Sequence, residues 1–152
     1  MKKLLPLLLV LVAAAFYQFG ERSSSSTMTT TDAGHEVASA GIGSDTLSAA
    51  YEARAADVPV EGEGEVIKLL ADDNDGSRHQ RFLVRVSPQQ TILIAHNIDL
   101  APRVENLRAG DSVSFRGEYA WNPQGGVVHW THRDPRGRHA DGWIEHDGRR
   151  VQ

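Results

Sequence analysis

The densest chemistry in the sequence is the run VVHWTHRDPRGRH at residues 127–139. It holds three histidines, a tryptophan, an aspartate and three arginines in thirteen residues. Imidazole and carboxylate groups ligate divalent metals, carry protons and make hydrogen bonds whose strength changes near neutral pH. His132, Asp134 and His139 share a turn built by Pro135 and Gly137. Together they offer two imidazoles and a carboxylate with an open position, a donor set for catalytic zinc or non-haem iron. His129 and His132 form an HxxH pair, but on a strand the two project to opposite faces. Arg133, Arg136 and Arg138 interleave with these groups and oppose a dication. A hydrogen-bonded loop is therefore the first expectation, with no resident cofactor and a divalent metal as the alternative.

A second group stands in IAHNIDLAPR, residues 94–103. His96 oriented by Asp99 would make a general base. Asn97 and Asp99 are equally natural turn formers, whose side chains bond nearby backbone amides. Arg81 and Arg103 offer planar, bidentate recognition of carboxylate or phosphate. Trp121, followed by Asn122-Pro123, either stacks on a sugar or base or packs into the core. The acidic DDNDGS lacks the twelve-residue calcium loop with its terminal glutamate, and reads as a hairpin turn. The sequence contains no GxSxG, P-loop, dinucleotide fingerprint or cysteine nucleophile, which removes most common enzyme classes.

The elements that must position these residues alternate with a period of two after Val60. Strands are expected over GEVIKLL, HQRFLVRVS, QTILIAH, DSVSFRGEYAWN and VVHWTH, with a short final hairpin around GWIEHDGRR. A short helix capped at Asp45 or Thr46 precedes them. The connection NIDLAPRVENLRAGD breaks the strand pattern and could hold a helical turn. Three strands, an irregular connection and two strands is the order of a five-stranded OB-like Greek-key barrel. A plain antiparallel sandwich or a half-open barrel is the alternative. Thermonucleases share the OB architecture and use carboxylates, calcium and arginines on phosphodiesters. Arg78, Arg81 and Arg103 are present here, but the tight acidic cluster is not.

Charge divides the chain. Residues 20–75 carry twelve acids against three bases, and residues 76–152 carry eleven arginines against eight acids. The folded half is mildly basic, far less so than a dedicated nucleic-acid domain. Nucleic acid is thus a permitted partner but not the favoured one. Residues 1–20, MKKLLPLLLVLVAAAFYQFG, have the layout of a signal peptide or an N-terminal membrane anchor. Residues 21–45 are Ser- and Thr-rich and too poor in large apolar side chains to order themselves, so a linker is expected there. The OB-like β domain is expected over 46–152. Without cysteine it folds without disulfides. The expected location is exported, periplasmic or tethered to the inner membrane through the N-terminal segment alone.

The block from SRHQRFLVRV through IAHNIDLAPRV to GDSVSFRGEYAWNPQGGVVHWTHRDPRGRHADGWIEHDG resembles an uncharacterised bacterial family, DUF3465. The resemblance covers residues 60–152. It implies an OB-like, envelope-targeted domain and brings no activity with it. The residues alone lead to an exported, non-enzymatic binding module for an extended polar or anionic ligand such as a glycan, peptide or nucleic acid. Arg81, His96, Asn97, Arg103, Trp121, His129, His132, Asp134 and His139 are the candidate contacts. One alternative is a metal-dependent hydrolase or metal-binding protein using His132, Asp134 and His139. Another is a structural partner in an envelope complex. The sequence leaves the oligomeric state open.

Overall fold

The computed structural model describes residues 41–152. The N-terminal apolar segment, and the linker as far as residue 40, lie outside the described residues. Helix α1 (Gly41–Glu52) leads into seven strands: β1 (Val58–Leu69), β2 (His79–Ser87), β3 (Gln90–Asn97), β4 (Ser112–Ala120), β5 (Val127–His129), β6 (Trp143–His146) and β7 (Arg149–Val151). The strands run in the order β1-β2-β3-β5-β4, and β1 also pairs with β4, which closes a five-stranded barrel. Neighbours are antiparallel except β3 and β5, which are parallel. This is the OB-type Greek-key arrangement anticipated from the strand order. The β6–β7 hairpin extends the wall, with β6 paired to the first half of β4 and β5 to its end.

Strand β1 begins at Val58, six residues before the expected start at Gly64, because glycine hides its alternation. Val60 and Val66 are buried, while Gly62 and Gly64 hold the inward positions between them. A Cβ at Gly64 would lie 2.3 Å from the Arg85 carbonyl oxygen, so the residue must be small for β1 to bend from β4 onto β2. A bulge between Val66 and Lys68 sharpens the bend. Helix α1 likewise starts four residues before Asp45. No helical turn forms between β3 and β4, where residues 98–111 are turns and irregular backbone.

Inward residues at period two fill the barrel, among them Phe82, Val84, Ile92, Ile94, Val113, Phe115, Tyr119 and Val128. Leu47 of α1 packs under Gly62 and Phe115 and is fully buried. Gln90 donates to the Leu47 carbonyl at 3.2 Å, which ties the helix to the start of β3. Val104 and Leu107 of the β3–β4 connection complete the core. Gln80 clamps that connection, donating to the Val104 carbonyl and accepting from its amide. The β4–β5 turn closes with Gly126 at φ +99°, where a Cβ would strike the Tyr119 ring at 2.2 Å.

Candidate functional site

Most of the sequence-selected side chains are already engaged in holding the barrel together. His96 is fully buried on the inward phase of β3. Its Nε2 lies 2.9 Å from the Pro102 carbonyl and its Nδ1 2.9 Å from Thr131 Oγ1. A carbonyl only accepts, so Nε2 carries the proton and a neutral Nδ1 accepts from the threonine hydroxyl. Burial, the dominant cause, pushes the imidazole below its ordinary value. Asp99 does not meet His96. It accepts from the Arg78 amide at 2.8 Å and from Arg78 Nε at 2.7 Å, and these bonds hold its carboxyl below the usual range. Asn97 accepts from the Asp99 amide in an Asx turn. Arg103 pairs with Asp72. The Trp121 ring packs against Tyr51 with centroids 6.4 Å apart, Arg54 lies over it, and its amide donates to Ala55. Tyr51 of α1 and Arg54 beyond it thus occupy part of the ring that could have stacked on a ligand.

Residues 130–142 connect β5 to β6, and Thr131, near their start, is fully buried against His96. Asp134 organises them by accepting from three backbone amides, those of Arg136, Arg138 and His139, at 2.8, 2.6 and 3.0 Å. These bonds, the Arg136 amide first, hold its carboxyl below the ordinary value. His132 is buried, and its Nδ1–H donates to the Arg133 carbonyl at 2.7 Å. The His139 ring donates to Glu118 Oε1 at 2.7 Å. The loop therefore uses His132, Asp134 and His139 for three separate tasks and does not converge them on one point.

Convergence occurs on the outer face of β4 and β5. Glu118 is directly opposite His129, and on its other side β4 pairs Glu118 with Pro59 of β1. Asp57, two residues before Pro59, completes a group whose ligand-type atoms all lie within 4.8 Å of one another: Asp57, Glu118 and His129. Burial depresses the His129 imidazole, the dominant effect, while the charges of Glu118 and Asp57 oppose it. Trp130 walls the group and stacks on His139 at 4.0 Å between centroids, 17° from parallel. The backbone is left-handed on both flanks, φ +58° at Asp57 and +53° at Trp130. Asp tolerates that region, but for Trp it costs about 1–3 kcal/mol, and such residues gather at functional sites.

Sequence reasoning found His129 and His139 but missed Asp57 and Glu118. Glu118 carried one available signal, its outward phase on the alternating strand. Asp57 carried none before the closure of β1 on β4 was known.

The same face continues sideways. Arg81 of β2 is paired with Ala95 of β3, and the parallel register that pairs Ile94 with Val128 brings Ala95 beside His129. Ala95 is the small residue between Arg81 and His129 in this row. Arg81 is steadied by the Ala71 carbonyl at 3.0 Å and by Asp73 at 3.9 Å, and stays partly exposed.

Comparison with curated proteins returns no match. The family described as a protein of unknown function, DUF3465, matches residues 34–152. That span takes in α1, the whole barrel, the outer-face group and the loop of residues 130–142, and the chain belongs to this family.

Proposed function

We propose that this domain is a non-enzymatic binding module that holds an extended polar ligand across the outer face of β2, β3 and β5. The observation that carries the reading is the row Arg81, Ala95, His129, with its small central residue and hydrogen-bonding groups on both sides. The outer face of the second and third strands, framed by the loops, is where OB barrels take extended ligands. Arg81 suits an anionic group. At the other end, Glu118 and Asp57 accept hydrogen bonds from hydroxyls and repel phosphates, while Trp130 offers an aromatic wall. That division favours an acidic glycan over a nucleic acid or an acidic peptide. In this reading residues 1–20 export the chain and either leave it in the periplasm or tether it to the inner membrane, where such polymers occur.

The test is calorimetric titration of the purified full chain with uronate-containing oligosaccharides, an oligothymidylate and an acidic peptide. The oligosaccharide binds, and Arg81→Ala weakens it about tenfold, the loss of one charge-assisted contact of about 1.4 kcal/mol. Absence of oligosaccharide binding, or binding that Arg81→Ala leaves intact, contradicts the reading.

A further inference from the structure

We propose that Asp57, Glu118 and His129 form a binding site for a divalent transition-metal ion, Zn²⁺ above all, with His139 as a positioning residue. The group shares its three residues with one end of the proposed groove, but the inference rests on their donor geometry and not on a bound glycan. Among the described residues, this is the group in which an imidazole and two carboxylates bring donor atoms within 4.8 Å of one another. One nitrogen and two oxygen donors with an open fourth position is a zinc-type set, whereas calcium would need six or more oxygens. Two carboxylates and a neutral imidazole balance the charge of a dication.

The three donors come from three separately held elements. Glu118 and His129 are fixed by the β4–β5 register. Asp57 is set by the α1–β1 connection, in a left-handed conformation at φ +58°. Ligand atoms around a tetrahedral zinc stand about 3.4 Å apart, given bonds of about 2.0–2.2 Å. The donor atoms lie within 4.8 Å of one another, and Asp57, the exposed member of the group, has the freedom to adjust its carboxylate toward the tetrahedral spacing.

The surroundings show which imidazoles are available. His96 spends both ring nitrogens, on Pro102 and Thr131, while His132 spends Nδ1 on the Arg133 carbonyl and is not among the converging donors. His146 is bonded to Asp111 at 2.9 Å. His139 donates Nδ1–H to one Glu118 oxygen and is pinned in orientation by stacking on Trp130. Such an outer partner orients a ligating carboxylate and commonly changes affinity by about 10–100-fold. Three donors leave a fourth position, which a water or a ligand hydroxyl would complete.

The experiment uses the full chain without a histidine tag, stripped with a chelator and equilibrated with Zn²⁺, with no organic ligand present. Metal content and affinity are read by elemental analysis and by competition with a chromophoric chelator, and folding by circular dichroism. One Zn²⁺ per chain is expected, with Mn²⁺ weaker. Asp57→Asn and His129→Ala each lower Zn²⁺ affinity at least tenfold while the fold is retained, and the exposed Asp147→Asn matches wild type. His139→Gln lowers affinity and shifts the visible spectrum of the Co²⁺-loaded protein without moving the melting midpoint. A wild type that takes up no stoichiometric Zn²⁺ overturns the proposal, as does uptake that survives Asp57→Asn and His129→Ala together. Failure of oligosaccharide binding leaves the metal measurement unaffected, so the two proposals fail separately.

Discussion

His96 and His129 lie on neighbouring strands, β3 and β5, and burial pushes both imidazoles below their ordinary value. Their surroundings differ. His96 points inward with both ring nitrogens bonded, to Pro102 and Thr131, and closes the barrel where the β3–β4 connection crosses it. His129 points outward, its donor atoms lie within 4.8 Å of those of Glu118 and Asp57, and its own strand ends with it. The same side chain is thus a structural pin on one face of the wall and an available donor on the other. What separates them is hydrogen-bond satisfaction, which a residue type or a spacing does not reveal.

The largest expected effect breaks the structural half of that contrast. His96→Ala strands the Thr131 hydroxyl and the Pro102 carbonyl and leaves a cavity, and should lower unfolding free energy by about 3 kcal/mol in a urea titration. Trp121→Ala should cost about 2 kcal/mol through lost packing on Tyr51 and the core, because the ring is only partly buried. A loss of oligosaccharide affinity in Trp121→Ala with no loss of stability would return that ring to the ligand-binding set. Asp134→Ala should act locally. Hydrogen exchange at the amides of Arg136, Arg138 and His139 should speed up at least tenfold, with the barrel strands still protected.

Acid should weaken the fold through His96. Its folded pKa lies below the unfolded value, so the unfolded state binds the proton more readily. The stability it contributes is complete above the unfolded pKa of about 6.5 and is lost as pH falls through the lower folded value. The melting midpoint should fall between pH 7.5 and 5, and more shallowly in His96→Gln. The smallest effect sharpens the other half: His129→Ala should change stability by less than about 1 kcal/mol, since the ring takes no part in the core.

The barrel was readable because inward positions at period two are apolar in β2, β3 and β4, as in Phe82-Leu83-Val84 and Val113-Ser114-Phe115. The start of β1 was not, because Gly62 and Gly64 occupy inward positions without an apolar side chain. The histidine-rich run drew attention to the right part of the chain, yet its local grouping of His132, Asp134 and His139 does not converge. Residues adjacent in a turn spend their polar atoms on that turn, as Asp134 does on three amides. The group that does converge joins Asp57, Glu118 and His129 through barrel closure, and long-range pairing of that kind has no signature in local spacing.

The most direct test of the contrast is a long-range ¹H–¹⁵N correlation spectrum of the imidazoles, recorded on the folded full chain before and after addition of Zn²⁺. His96 should show one fixed neutral tautomer protonated at Nε2, unmoved by the cation, while the ring nitrogens of His129 shift as the ion binds. A His129 signal that stays in place, or a His96 signal that moves with the cation, would contradict the division between a satisfied interior and an available outer face.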